Sequence, residues 1–223
     1  MGQMPGLAFA AVTMTAMSFD RKAHWEAVYG ARPAEEVSWY QERPVRSLEL
    51  VERTGFGRDA AVIDIGGGAS RFVDCLLEQG YRDLTVLDLS SAALERAAER
   101  LGRRAEEVCW IETDITQFEP SRLYDLWHDR AAFHFLTEAA DRHRYREVLR
   151  RSVAPGGQVI LATFAPGGPE KCSGLDIVQY DAAKLEKALG PEFSLLEQQM
   201  ERHQTPAGRE QLFGFYRFLR VGR

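Results

Sequence analysis

The sequence predicts an α/β fold, a doubly wound and mostly parallel seven-stranded sheet with a closing antiparallel strand pair. Short apolar runs alternate five times with amphipathic segments between residues 61 and 164. Several of these runs end in aspartate, and Gly66-Gly67-Gly68 comes soon after the first run. Nearer the end of the chain, two extended segments are joined by a turn, which is typical of an antiparallel pair.

The first five strands are predicted from apolar runs, which when near-continuous are the pattern of strands buried on both faces of a sheet. These runs are 61–65, 84–88, 108–111, 124–128 and 158–164. The helix after the second run is predicted from Leu94, Ala97 and Leu101, which recur at helical spacing behind the N-cap residue Ser90. A short helix and two strands complete the fold, at 181–189, 193–200 and 211–219.

We divide the chain into three segments. Residues 1–17 contain no Lys or Arg and no run long enough to span a membrane, and they are predicted to form a disordered or extended tail. Residues 18–58 are predicted to form a helical lid, and residues 59–223 the ligand-binding domain. The aromatic residues of the lid either fix it to the sheet or form the roof of a site. They are Trp25, Tyr29, Trp39 and Tyr40.

The composition narrows the classes of function. The 223 residues are 45% hydrophobic and 27% charged, which is ordinary for a soluble globular domain. The formal net charge of −5 argues against a broad nucleic-acid-binding surface. Three cysteines without a Cys-x-x-Cys pair indicate a reducing compartment and no structural metal, so we expect a cytoplasmic protein. Cys109 lies inside a predicted strand and is expected in the core.

The glycine turn after the first strand predicts a ligand-binding loop. Gly66 and Gly68 permit a sharp turn and let a ligand approach bare backbone, which side chains would block. The helix that starts near Ser70 presents unpaired N–H groups to an anionic or polar end of the ligand. A loose turn is the alternative interpretation, because a short glycine motif is weak evidence by itself.

Acidic residues at the strand ends predict what this loop binds. Asp88 follows Gly68 by 20 residues, a spacing that suits a carboxylate accepting hydrogen bonds from two ribose hydroxyls. Leu89 comes next in the chain. Asp114 and Ile115 occupy the equivalent point after the third strand, where an acceptor for the adenine amino group and an apolar cover belong. Together these residues predict a nucleoside-type ligand.

Two cofactors contain such a nucleoside. A dinucleotide fingerprint needs glycine at position 71, where this chain has Arg71, and the pyrophosphate would also face Asp64. A pocket rimmed with carboxylates suits a cationic ligand better than a phosphate. The pattern therefore favours S-adenosylmethionine, a sulfonium, over NAD.

The motif Asp64-Ile65-Gly66-Gly67-Gly68-Ala69-Ser70 resembles the Asp-x-Gly-x-Gly-x-Gly motif of the class I S-adenosylmethionine-dependent methyltransferases, with serine in the place of the last glycine. Asp88, Asp114 and the turn Pro155-Gly156-Gly157 are also similar to the family's pattern. The resemblance covers about residues 60–165. It implies a Rossmann-like fold, S-adenosylmethionine as the cofactor and methyl transfer as the reaction.

The segment from His24-Trp25 to Trp39-Tyr40, together with Asp129, is similar to a subgroup that includes elongation-factor lysine methyltransferases and uncharacterised bacterial enzymes. The resemblance implies that this segment is a lid over the cofactor and that Tyr40 belongs to it. We expect Asp129 to hold an amino group of the cofactor or of the substrate. We expect Phe133 to pack on the adenine or on the methyl donor.

Methyl transfer from a sulfonium mainly requires the nucleophile to be aligned and desolvated, so no catalytic triad or metal is demanded. A base helps when the acceptor is an amine or a hydroxyl. His128 ends the fourth predicted strand, Asp129 and His134 follow it, and these three residues are the candidates for the base. A hydrogen-bonded structural role is the alternative for each histidine. Substrate contacts are expected partly from the Gly-rich loop after the fifth strand, since such loops often set specificity. The candidates are Trp39, Lys171, Cys172 and Tyr180.

The favoured function is methyl transfer to a small-molecule or protein side-chain acceptor, with nitrogen as the expected acceptor atom. An NAD-dependent oxidoreductase and a non-catalytic protein that binds the cofactor to regulate a partner are the alternatives. No nucleic-acid or membrane partner is expected, and the sequence leaves the oligomeric state open.

Overall fold

The computed structural model describes residues 19–222, so the predicted tail over residues 1–17 lies outside the described residues. The strands in this range are β1 Ala61–Ile65, β2 Asp83–Asp88, β3 Val108–Glu112, β4 Tyr124–Arg130, β5 Val153–Phe164, β6 Lys171–Cys172, β7 Leu175–Asp176, β8 Phe193–Gln204 and β9 Glu210–Arg220. The α-helices are α1 Arg21–Ala31, α2 Val45–Arg53, α3 Phe72–Glu78, α4 Ser91–Leu101, α5 Ala139–Ser152 and α6 Ala182–Leu189. No helix between residues 19 and 222 is long and apolar enough to cross a membrane.

Seven strands form one sheet in the order β3-β2-β1-β4-β5-β9-β8. Strand β1 is parallel to both of its neighbours, β2 and β4, whereas β9 is antiparallel to both β5 and β8. This topology confirms the predicted doubly wound, mostly parallel α/β sheet with its closing antiparallel pair. The chain reverses its direction of winding between β1 and β4, which is where ligands bind in such sheets. Strands β6 and β7 form a separate short hairpin in the loop after β5.

The sheet is covered by a hydrophobic layer on each face. Because successive side chains of a strand point to opposite faces, neighbouring residues of β4 enter different layers. Trp127 is fully buried against Tyr145 of α5, whereas His128 stacks on Phe72 of α3. Burying one large apolar side chain stabilises the fold by roughly 1.5–3 kcal/mol. The two layers therefore hold the strand ends in fixed positions.

The segment before β1 has two parts with different surroundings. Helix α1 packs on α4, and its Tyr29 is buried together with Ala69 and Ala93. Helix α2 packs on α3 and β5, and its Leu50 and Val51 are buried in the main core. Within the predicted lid, α1 therefore covers the side of the domain near the ends of β1 and β2, and α2 belongs to the core.

Strand β3 lies at an edge of the sheet and is less buried than the central strands. Cys109 on this strand is exposed, so the expectation that it lies in the core is wrong. An apolar run predicts a strand but does not tell an edge strand from a central one, and an edge strand has a neighbour on one side only.

Candidate active site

The carboxyl ends of β1 to β4 surround a cavity of about 120 Å³, here called the inner cavity. Residues predicted to bind a nucleoside line it: Gly66, Asp88, Leu89, Asp114 and Ile115. Trp25, Tyr29 and Trp39 close the opposite side. The volume is below the roughly 300–1,000 Å³ of typical ligand pockets, because these aromatic side chains of the lid reach into it.

Asp88 ends β2 and is the most perturbed carboxylate of the inner cavity. Its Oδ1 accepts a hydrogen bond of 2.9 Å from the N–H of Ser90, the N-cap of α4. Burial raises the pKa of the Asp88 carboxyl to about 7 although this hydrogen bond lowers it, and the charges of Asp64 and Glu26 add to the increase. A buried carboxylate beside a cavity is poised to accept hydrogen bonds from ligand hydroxyls.

The glycine turn brings bare backbone to the same cavity. Gly66 and Gly68 both have positive φ, 64° and 43°, which favours glycine. A Cβ on Gly68 would lie 2.8 Å from Oδ2 of Asp88 and 3.0 Å from Oη of Tyr29. Any side chain here would displace the carboxylate and the lid tyrosine. This crowding shows that the backbone of the glycine turn, the Asp88 carboxylate and Tyr29 of the lid meet at one point.

Asp114 and Ile115 lie at the far end of the inner cavity. Oδ1 of Asp114 accepts hydrogen bonds of 2.7 Å from both the N–H and the hydroxyl of Thr116. Its Oδ2 lies 3.5 Å from Nη1 of Arg21 in α1. Asp114 thus fixes the turn after β3 and ties the lid to it, while Ile115 supplies apolar surface.

Asp64 and His128 form a buried chain beneath the glycine turn. Nδ1 of His128 lies 2.6 Å from Oδ1 of Asp64, and its Nε2 lies 2.9 Å from Oγ of Ser47. Both ring nitrogens therefore have partners, and the ring is stacked on Phe72 at 3.9 Å. Together with Tyr40 and Ser70, Asp64 and His128 line a small third cavity of about 40 Å³ beside the inner one. The contacts suit a histidine that orients Asp64.

The structure does not bring Asp129 and Phe133 to the wall of a described cavity. Asp129 is fully buried, and its Oδ1 accepts hydrogen bonds of 2.9 and 3.2 Å from the N–H groups of Ala132 and Phe133. Its Oδ2 accepts a 2.7 Å hydrogen bond from the Tyr145 hydroxyl. Burial raises the pKa of Asp129 to about 6, against the lowering effect of these bonds. Asp129 thereby fixes the turn after β4, and Phe133 packs on Tyr145.

His134 and Tyr180 are also placed away from the cavities. His134 is fully buried, its Nδ1 accepts a 3.3 Å hydrogen bond from the N–H of Phe164, and burial lowers its pKa to about 3. A histidine with so low a pKa is neutral at pH 7 and is a weak base. Tyr180 is buried against Phe133, and its carbonyl accepts a hydrogen bond from Tyr216.

A second space of about 860 Å³, here called the outer cavity, lies between the lid, the β6–β7 hairpin and the turn joining β8 to β9. Lys171 and Cys172 line it, and Trp39 and Cys172 line both it and the inner cavity. These two side chains thus form the boundary between the two spaces. Burial raises the pKa of the Cys172 thiol to about 11, so it stays protonated at neutral pH.

Arg21 and Phe135 were not predicted as site residues, whereas Trp25 and Tyr29 were predicted as one alternative to form the roof of a site. Arg21, Arg130 and Phe135 line the inner cavity together with the lid aromatics Trp25 and Tyr29. The rings of Trp25 and Phe135 meet edge to face at 5.0 Å. The spacing of Trp25 and Tyr29, four residues apart on one helix face, was the available signal in the sequence.

Glu26 fastens helix α1 to the N-terminus of helix α4. Its carboxylate accepts hydrogen bonds from the N–H of Ser91 at 2.8 Å, the N–H of Ala92 at 3.3 Å and the hydroxyl of Ser90 at 3.1 Å. It therefore binds the positive end of the α4 dipole, next to Asp88. Burial raises the pKa of Glu26, but these hydrogen bonds outweigh it, so the pKa lies below its ordinary value.

The fold and this geometry define a class of protein. A glycine turn after β1, carboxylates after β2 and β3, and the reversal between β1 and β4 are the features of a class I S-adenosylmethionine-dependent methyltransferase. Residues 62–157 match the family described as methyltransferase domain (Methyltransf_25). The chain therefore contains a class I methyltransferase domain, and S-adenosylmethionine is the cofactor of this class.

Curated relatives support this class. Nodulation protein S of Rhizobium tropici is 28% identical over 122 residues, which cover 55% of this chain and 50% of that protein. The eEF1A lysine and N-terminal methyltransferase of Mus musculus is 25% identical over 197 residues, 87% of this chain and 26% of that protein. The chain thus spans half or less of the length of these two relatives.

Solved structures share the fold. The N-methyltransferase NodS of Bradyrhizobium japonicum, in complex with S-adenosylhomocysteine, superposes with a TM-score of 0.70 at 20% identity and covers 91% of this chain and 100% of its own. A methyltransferase of Anabaena variabilis gives 0.72 at 18% identity, with 91% and 96% covered.

Proposed function

We propose that the protein transfers a methyl group from S-adenosylmethionine to a small-molecule or protein side-chain acceptor, and that the acceptor atom is nitrogen. One observation supports the proposal above the others. The inner cavity combines bare glycine backbone with the carboxylates of Asp88 and Asp114, and it adjoins a larger cavity across Trp39 and Cys172. One space suits the adenosine part of the donor, and the other suits the acceptor.

The residues at the boundary determine how the reaction would proceed. When bound, S-adenosylmethionine would supply the methyl group of its sulfonium in an in-line displacement: the lone pair of the acceptor nitrogen would form the C–N bond as the C–S bond breaks, and S-adenosylhomocysteine would leave. Trp39 and Cys172 are the groups that exclude water from the line of attack, and alignment of this kind can supply about 7–11 kcal/mol. The burial of His134 and the paired ring of His128 support a reaction in which the amine loses its proton before it enters.

The small volume of the inner cavity supports a step in which the lid opens before the cofactor enters. Because the inner cavity of about 120 Å³ is smaller than a nucleoside ligand requires, Trp25, Tyr29 and Trp39 move outward when the cofactor enters. The Glu26 contacts with α4 then hold α1 closed again. Loop and lid closure of this type commonly limits turnover and excludes water.

Nitrogen as acceptor atom is supported by two relatives, since one is named an N-methyltransferase and the other a lysine and N-terminal methyltransferase. The malonyl-[acyl-carrier protein] O-methyltransferase of Anoxybacillus flavithermus, 26% identical over 157 residues, represents the alternative of oxygen. The specific acceptor, a cytoplasmic location and the lack of a nucleic-acid partner stay predictions.

Calorimetry and mass spectrometry test this function. The protein is titrated with S-adenosylhomocysteine and, separately, with NADH; the proposal expects binding of the first and none of the second. It is then incubated with S-adenosylmethionine and a panel of amines, alcohols and lysine peptides, and products are scored by a gain of one methyl mass. Binding of NADH alone indicates an oxidoreductase. Binding of S-adenosylhomocysteine without any methylated product supports a regulatory protein instead.

A further inference from the structure

Arg130, the last residue of β4, has buried nitrogen atoms without a partner. Its Nη1 donates a 2.8 Å hydrogen bond to the carbonyl of Trp39. Its Nε and Nη2 are buried and have no hydrogen-bond partner among the described residues. Burial lowers the pKa of Arg130 to about 10, so the guanidinium is still charged at neutral pH. A buried charged donor without a partner destabilises a fold unless an anion satisfies it.

The Arg130 side chain lines the inner cavity and the third cavity, and it lies close to Cys172, which separates the inner cavity from the outer one. Arg130 lines the inner cavity, and its guanidinium carbon lies 4.9 Å from the ring centroid of Phe213 in β9. The side chain therefore extends from β4 towards β5 and β9, on the side where Cys172 separates the cavities. The charges of Glu201 and Asp64 act against the lowering of its pKa by burial, yet neither carboxylate forms an ion pair with Arg130 among residues 19–222.

We propose that Arg130 is a carboxylate-binding residue at the boundary between donor and acceptor, an inference that rests on the proposed function. The planar guanidinium matches the two oxygens of a carboxylate better than any other side chain does. Two molecules carry such a group, the cofactor in its amino-acid part and an acceptor that is a carboxylated amine. The direction of the side chain towards Phe213 and Cys172 favours the acceptor, with its body in the 860 Å³ outer cavity.

The first arm of the test examines the cofactor. Dissociation constants are measured by calorimetry for S-adenosylhomocysteine and for 5′-methylthioadenosine, which lacks the amino-acid part, with the natural protein and Arg130→Gln. If the cofactor supplies the carboxylate, Arg130→Gln weakens S-adenosylhomocysteine at least about tenfold and leaves methylthioadenosine unchanged. If the acceptor supplies it, both dissociation constants stay the same.

The second arm examines the acceptor. The natural protein and Arg130→Gln are incubated with S-adenosylmethionine and small amines that carry a carboxylate, each beside its methyl ester. We expect the acids to be methylated at least about tenfold faster than the esters by the natural protein, and this preference to disappear in Arg130→Gln. The split between KM and kcat then shows whether Arg130 binds or aligns the acid.

Two control variants separate recognition from folding. Arg217→Gln removes another guanidinium, one that pairs with Glu197 and Gln158 and lines neither cavity, and it should lower the melting temperature without altering binding or acid preference. Arg130→Lys keeps the positive charge but loses the planar group that can bind both carboxylate oxygens. It is used in the same assays if Arg130→Gln does not fold. The inference is overturned if the variant leaves both the S-adenosylhomocysteine affinity and the acid preference unchanged, or if no acid is methylated while that affinity is unchanged. Failure of the natural protein to bind S-adenosylhomocysteine would instead refute the proposed function.

Discussion

Replacing Asp88 by asparagine should stabilise the protein alone and weaken its binding of cofactor. Burial raises the pKa of this carboxyl from 3.8 to about 7, so at pH 8 it is ionised in the folded protein at a cost. This difference between the folded and unfolded pKa lowers the free energy of unfolding by about 4 kcal/mol at pH 8 and by about 2 kcal/mol at pH 5. Asparagine keeps the oxygen that accepts from Ser90 but carries no charge. Its own burial has a cost, so these values are upper bounds.

The sign follows from proton binding. Between pH 4 and pH 7 the folded protein holds a proton on Asp88 that the unfolded chain has lost, so this group destabilises the fold increasingly as pH rises through that range. Asp88→Asn should therefore raise the melting temperature more at pH 8 than at pH 5. Asp59→Asn, on an exposed carboxylate paired with Arg82, is the matched control and should show no such difference.

The same variant should bind S-adenosylhomocysteine about ten- to a hundredfold more weakly at pH 8, because a charge-assisted hydrogen bond contributes about 1.5–3 kcal/mol. Affinity of the natural protein should also fall as pH drops below 7, where Asp88 becomes protonated. Differential scanning fluorimetry and calorimetry measure the two effects. A lower melting temperature at pH 8 together with an unchanged dissociation constant would refute the assignment of Asp88.

Three further substitutions examine other parts of the site. Gly68→Ala should abolish measurable cofactor binding, since its Cβ would lie 2.8 Å from Oδ2 of Asp88 at a φ of 43°; calorimetry that shows normal affinity would contradict this. Glu26→Gln should raise the dissociation rate of S-adenosylhomocysteine about tenfold in stopped-flow experiments, because it weakens charge-assisted contacts between α1 and α4 that contribute about 1.5–3 kcal/mol each. An unchanged rate would show that these contacts do not hold α1 closed over the cofactor. His134→Asn should lower the melting temperature but leave the pH dependence of methyl transfer unchanged, because the pKa of His134 is already about 3. If one side of the pH profile disappeared in this variant, His134 would be the base.

The fold was predictable because its signals are local. Apolar runs, glycine turns and the N-cap Ser90 each act within a few residues. A parallel strand that is buried on both faces has a near-continuous apolar sequence, so it can be predicted from that sequence alone. The ends of the strands were less predictable. Strand β5 was predicted to begin at residue 158 but begins at Val153, since it includes Pro155 and the two glycines that follow. A turn motif in the sequence does not show whether neighbouring strands extend past it.

The inner cavity was predictable in part for a related reason. Residues directly after a parallel strand must lie at its carboxyl end, so the positions of Asp88 and Asp114 follow from the strand assignment. Burial beyond the strand end does not follow from it. The sequence presents Asp129 and His134 as reactive groups, but the structure shows that both are buried and accept hydrogen bonds from backbone N–H groups, His134 through Nδ1 alone. The sequence gives no sign that Arg130 has unpartnered nitrogen atoms, because the surroundings of its side chain depend on Trp39 and on β9, which are distant in the chain.

A crystal structure of the complex with S-adenosylhomocysteine is the decisive measurement for the cofactor site. Both ribose hydroxyls should lie within about 3 Å of the Asp88 carboxylate, with the adenine between Asp114 and Ile115. The sulfur should face the boundary formed by Trp39 and Cys172. A ligand bound elsewhere, with the Asp88 carboxylate still bonded to the backbone of its own turn, would overturn the assignment of the inner cavity as the cofactor site.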